Sequence, residues 1–164
     1  MAGAAPVAGS LRISTDPAEL DVDLIHHFLA TQSTWARGIP RARVETSIRH
    51  SLCFGGFLGE GQVAFARVIT DRATFANLVD VFVLPAFRGR AYATALMQAI
   101  DAHPDLQGLR RFTLATFDAH ALYRRHGFTA PAAPSTLMER YVPDIYARGA
   151  RAEDGEAGTG LTPA

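Results

Sequence analysis

Cysteine is nearly absent from this chain. Cys53 is the only one among 164 residues, which excludes an internal disulfide framework and any cluster of thiolate metal ligands. Net charge is absent too, because 16 basic residues balance 16 acidic ones. No overall field is left to hold a nucleic-acid backbone or an anionic membrane surface. Nowhere do about 18 apolar residues run together, and the small, apolar N-terminus has no cationic start, so neither a membrane span nor a signal peptide is expected. These absences point to a cytoplasmic chain with no nucleic-acid or membrane partner.

What is present suffices for one core: 48% of the residues are hydrophobic, in a chain near the usual length of a single domain. Residues 1–10 are rich in Ala and Gly, and in 147–164 Leu161 is the only large apolar side chain. Both stretches read as tails, flexible at the N-terminus and disordered at the C-terminus, around a folded domain over 11–146.

Along that domain, 11–14 reads as a short strand. Thr15-Asp16-Pro17 is a helix start, an oxygen-bearing cap before a proline, for a helix over 18–31. A loop carrying Trp35, Arg37 and Gly38 ends at Pro40, after which Val44, Ile48 and Leu52 recur every fourth residue as the stripe of a second helix. Residues 52–58 and 63–70 read as a hairpin around Gly59-Glu60-Gly61. A fourth strand runs over 75–84, and strict alternation puts Leu78, Asp80, Phe82 and Leu84 on one of its faces. Pro85 ends it, and Tyr92, Leu96, Ala99 and Ile100 mark a helix reaching about 102. A strand at 112–117, a short helix at 119–126 stopped by Gly127, and a last strand at 137–142 follow.

The most informative stretch is VFVLPAFRGRAYATALMQAI, a strand that passes through a basic, glycine-containing turn straight into a helix. A helix's first turn has unpartnered N–H groups and the positive end of the macrodipole, so it accepts phosphate. Arg88 and Arg90 add charge there. A strand-helix connection with two solvated arginines is the plainer reading of the same residues.

Here the chain resembles the GNAT superfamily of N-acetyltransferases. That family's pyrophosphate signature, Arg/Gln-x-x-Gly-x-Gly/Ala, corresponds to Arg88-Gly89-Arg90-Ala91-Tyr92-Ala93, with a departure at Ala91, where a Cβ crowds the backbone approach to the pyrophosphate. A second block, Ala119-His120-Ala121-Leu122-Tyr123-Arg124-Arg125-His126-Gly127-Phe128, is similar without a break to the family's Ala-x-x-Leu-Tyr-x-x-x-Gly-Phe. The resemblance covers nearly all of 11–142 in element order. It implies an α/β (α+β) fold: a mixed, mostly antiparallel sheet of six to seven strands flanked by about four helices and splayed between strands 4 and 5. It also implies acetyl-CoA as co-substrate, its pantetheine arm bonded to the backbone of Val81, Phe82 and Val83, and its pyrophosphate on Arg88 through Ala93. Thr116 is included among the candidate cofactor contacts.

The activity implied is direct attack of a primary amine, on a small molecule, amino acid or peptide, upon the thioester in a ternary complex. Tyr123 matches the tyrosine that protonates the departing thiolate, and contacts the cofactor. A phenol, mostly protonated at neutral pH, suits that task. Asp80, a carboxylate expected among large apolar side chains with its pKa raised, is read as the base or amine-holding group; the alternative is a structural carboxylate paired with an arginine. His120, three residues before Tyr123, is a candidate for the acceptor side, and its alternative is a solvent-facing histidine. Trp35 and Arg37 would suit an acceptor with a flat apolar part or a carboxylate, unless Trp35 anchors its loop in the core. His26, His27 and His103 show no metal-ligand spacing, and no metal is expected. Cys53 reads as a small buried hydrophobe. The competing function is a non-catalytic acyl-CoA-binding sensor or interaction module, which the departure at Ala91 favours. The sequence leaves room for a homodimer.

Overall fold

Asp71 shows how locally this chain sets its turns. Its carboxylate accepts from the N–H groups of Ala73, Thr74 and Phe75 and from the Thr74 hydroxyl, bonds that hold its carboxyl well below the usual range. That turn reverses the chain between two of the longest strands. The computed structural model describes residues 10–147. The expected tails at 1–10 and 147–164 lie outside the described residues except for Ser10 and Ala147.

One sheet has the order β1 (Arg12–Ser14), β2 (Leu52–Leu58), β3 (Gly61–Thr70), β4 (Phe75–Val83) and β5 (Arg111–Leu114). The first four strands run antiparallel, and β5 pairs parallel to β4 over Phe75 to Leu78 only. A parallel neighbour requires a crossover, and α3 (Tyr92–Ala102) supplies it. Beyond Leu78, β4 continues for five residues to Val83 with no ladder to β5, which itself ends at Leu114.

The helix expected over 18–31 begins later. Asp16 caps only a 3-10 turn at Pro17–Glu19, and Asp21 caps α1 (Val22–His27), which passes into a π-helical turn at Phe28–Gln32. Next comes α2 (Arg41–Arg49), and α4 (His120–Arg124) follows β5. The two sheet faces are covered separately. Leu96, Met97 and Ile100 of α3 and Tyr123 of α4 pack on one face with Ala76, Leu78 and Val83. Ile25, Phe28, Leu29, Val44 and Ile48 cover the other with Phe65 and Phe82.

Two expectations need correction. Among the described residues the sheet has five strands, not six to seven, because 137–142 forms no ladder and leaves Leu137, Met138, Tyr141 and Val142 exposed. The run Leu-Met-Glu-Arg-Tyr-Val pairs its apolar residues in doublets, so a strand of period two could bury only one of each pair, and Pro134 and Pro143 bracket it. The alternation of β4 also fails. Register with β3 shifts between Arg67↔Val79 and Phe65↔Phe82, so that Asp80 and Val81 together face Ala66. Asp80 sits at φ 54°, a left-handed conformation that aspartate tolerates better than most residues. Through this bulge the strand changes parity. Leu78 lies on the α3 face, whereas two turns of the pleat later Phe82 lies on the α1 face.

Candidate functional site

Four features converge around the end of β4: a turn, an open stretch of backbone, a buried phenol and a cavity. The turn comes first in the chain. After the 3-10 turn Pro85–Phe87, Gly89 has φ 76° and Ala91 φ 62°, two left-handed residues that fold the chain into the start of α3. No side chain caps that helix, and its first internal bond runs from Ala95 N–H to the Ala91 carbonyl. The amides of Ala93 and Thr94 precede this first i→i−4 bond, and the N-terminus of such a helix is the arrangement that accepts an anion. Arg90 is exposed and lies over the Phe87 ring. Alanine in the left-handed region costs about 1 to 2 kcal/mol, against a smaller loss for glycine's extra freedom in the unfolded chain. Ala91→Gly is thus expected to raise stability by up to about 1 kcal/mol, measured by thermal melts of the two proteins.

The open backbone follows from register. Leu84 N–H donates to the Val63 carbonyl at 2.9 Å, so the peptide groups of β4 can be assigned in sequence, since N–H and C=O oppose each other in a trans peptide. Phe82 turns both its N–H and C=O to β3. The Val81 carbonyl, the Val83 N–H and the Val83 carbonyl face the side that β5 does not reach. Of the three residues expected to bind through backbone, Val81 and Val83 therefore qualify and Phe82 does not. Arg88 Nε already donates to the Val83 carbonyl at 3.0 Å, which ties the arginine to the strand end and leaves one acceptor and one donor on the open side.

Tyr123 is buried, packed edge-on to Phe128 in the core shared by β4 and α3. Burial, and secondarily the nearby Asp118 carboxylate, push its pKa above the ordinary phenol value. The group is protonated through neutral pH, and no described residue accepts its proton. Thr116 is one step removed: its hydroxyl accepts from Ala119 N–H at 3.0 Å, fixing the entry to α4. His120 is exposed, on the solvent side of the same short helix.

On the opposite face, an open cavity of about 740 Å³ lies between α2 and the sheet. Its walls include Trp35, Arg43, His50, Arg67, Asp80 and Tyr146. The loop bearing Trp35 is fixed by buried Ser33, which donates to the Leu29 carbonyl and accepts from Ala36 N–H, and by a Gly38 to Ala30 backbone bond. Trp35 itself is 50% exposed, so Ala36 and Ile39 anchor the loop and the indole is left for the cavity. Its Nε1 donates to Asp80 Oδ1 at 2.9 Å. Asp80 Oδ2 accepts from Arg67 Nε at 2.8 Å, and Arg67 reaches Ser51 at 3.0 Å. The expectation of a carboxylate isolated among apolar side chains is thereby corrected: the bulge turns Asp80 into a polar cluster with a cation. Arg37 is exposed and does not line this cavity.

Sequence reasoning missed Arg67. The only signal was an arginine on the apolar strand Val63-Ala64-Phe65-Ala66-Arg67-Val68, a position where a charge requires a partner. Beside it, Cys53 is buried and its thiol is pushed up to about 12 by burial, which leaves it inert as a nucleophile.

Residues 49–130, half of the 164, match the acetyltransferase (GNAT) domain family. A protein of Gibberella zeae that bears an acetyltransferase name is 33% identical over 140 residues, covering 72% of this chain and 78% of its own length. The crystal structure of a GNAT-family protein from Xanthomonas campestris pv. campestris is 61% identical, with a TM-score of 0.83, and the match covers 85% of this chain and 98% of that one. Glucosamine-6-phosphate N-acetyltransferase from Arabidopsis thaliana shares the fold at 12% identity and a TM-score of 0.57, over 81% of this chain and 99% of that one.

Proposed function

Because the chain belongs to the GNAT acetyltransferase family, we propose that it transfers an acetyl group from acetyl-CoA to a primary amine by direct attack in a ternary complex, as a cytoplasmic enzyme folded over 11–146. The observation that carries this reading is the placement of a protonated, buried tyrosine on one face of the sheet and a carboxylate-lined cavity on the other, at the point where β4 and β5 part. Among the described residues no helix is long and apolar enough to cross a membrane.

In this reading the amides at the start of α3, with Arg88 and Arg90, hold the pyrophosphate, and Gly89 through Ala93 shape its cradle. The Val81 carbonyl accepts a bond from the pantetheine arm, and the Val83 N–H is the donor left for the thioester. An N–H on this edge of β4 stabilises the oxygen that gains charge as the amine attacks. Asp80, held in place by Arg67 and Trp35, receives the acceptor amine. The amine nitrogen bonds to the acetyl carbon, the C–S bond breaks, Tyr123 gives its proton to the departing sulfur, and the proton lost by the amine passes to Asp80, directly or through water. No metal takes part in this scheme.

The test is isothermal titration of CoA together with thiol release from acetyl-CoA over a panel of amines. Arg88→Glu is expected to weaken CoA binding roughly tenfold or more, since it reverses the charge beside the anion and frees the Val83 carbonyl. Unchanged affinity would move the pyrophosphate elsewhere. CoA binding with no thiol release for any amine would instead favour a sensor, the reading that Ala91 supports.

A further inference from the structure

The cavity walls hold more positive charge than the proposed chemistry uses, and we infer that the acceptor is a primary amine that also carries an anionic group, read by Arg43. The inference rests on the acetyl-transfer reading above and names the substrate class of that same site. Along α2, Arg43, Thr46, Ser47 and His50 all line the cavity, the spacing of one helix face. The two hydroxyls are spent on their own helix, Thr46 on the Ala42 carbonyl and Ser47 on the Val44 carbonyl. The Arg67 and Asp80 charges answer each other across 2.8 Å.

What remains is the Arg43 guanidinium, which has no hydrogen-bond or ion-pair partner among the described residues, with the His50 ring one helical stretch further on. No second carboxylate lines the wall to balance Arg43. A cavity of this sign repels an acceptor whose only charge is its ammonium and favours one that brings an anion. An anion on Arg43 would extend across the cavity from an amine at Asp80, and the open mouth admits either a carboxylate or a phosphate. Both are groups that a guanidinium fork can grip with two bonds. The cation that the sequence offered for this purpose, Arg37, stands outside the wall; Arg43 stands in it.

The test compares, with the full chain at fixed ionic strength, ω-amino carboxylates and aminoalkyl phosphates against alkylamines of equal length. One readout is thiol release, and the other is titration of the same amines into protein saturated with CoA. For the better anionic series, kcat/KM is expected to exceed that of the matched alkylamine by roughly tenfold or more, through KM. The winning series identifies carboxylate or phosphate. That ratio is expected to fall towards one in Arg43→Gln, an exposed position whose change leaves the core untouched, and to persist in Arg49→Gln, which removes the same charge from α2 outside the cavity. Equal efficiency for both series, or a preference that survives Arg43→Gln, would overturn the inference while leaving acetyl transfer standing. Thiol release with no amine would sink the transfer reading instead. Titration then still decides: binding of an anionic amine that depends on Arg43 upholds the inference, and equal binding of both series, or of neither, ends it.

Discussion

Tyr123→Phe is expected to slow turnover by roughly a hundredfold or more while leaving acetyl-CoA affinity nearly intact, because the hydroxyl is needed only as charge develops on sulfur. The ring's packing against Phe128 survives the substitution, so folding should not change. The pH profile supplies an independent check. Burial and the Asp118 charge raise the phenol above its ordinary value, so the acid form is complete through neutral pH, and the tyrosine-dependent rate is lost only as pH climbs past the usual phenol range. The variant should lack that alkaline limb. If turnover were unchanged with chemistry shown to limit the rate, Tyr123 would be a packing residue.

Asp80→Ala is expected to cost about 3 kcal/mol of stability, a fall in melting temperature of roughly 10 °C for a domain of this size. It strands Arg67, whose side chain is only 14% exposed, removes the acceptor for the Trp35 indole, and places alanine at a positive φ. Asp80→Asn separates structure from chemistry. Asparagine tolerates the same backbone and still accepts from Trp35, so the melting temperature should fall by less. Turnover over acceptor KM should drop for an amine of high pKa, and the deficit should narrow as pH rises and the neutral amine becomes abundant. Profiles that run parallel at every pH, with a lowered melting temperature, would make Asp80 part of the scaffold.

The parts of the site that the sequence disclosed are those set by neighbours in the chain. Arg88 to Ala93 could be read as a phosphate-binding turn because the strand, the turn and the helix start adjoin one another. Tyr123 stood out because Ala119 to Phe128 forms one local pattern. Asp80 was visible as a residue and not as an arrangement: its conformation depends on a register shift against Ala66, and its partners lie 13 and 45 residues away. Alternation cannot reveal a bulge, since it presumes that every residue has one partner across the ladder. Trp35 lines the cavity and Arg37, read beside it, does not; Arg43 carried no signal of its own, because its place on the cavity wall is decided by how α2 packs on the sheet. The strand expected at 137–142 failed because propensity was read without asking which face the doublets would bury.

The parity change at Asp80 bears on how this site can vary. β4 carries a phase slip: its odd positions after residue 80 face the core that its even positions face before it. Val81 and Val83 pack towards α3, while Phe82 stacks on Phe28 with ring centroids 3.9 Å apart. Deleting residue 80 would restore plain alternation and leave Val81 and Val83 on the α3 face and Phe82 on the α1 face. The extra residue therefore serves the polar cluster and not the core: without it the strand would alternate regularly, and the carboxylate that Arg67 and Trp35 hold would be gone.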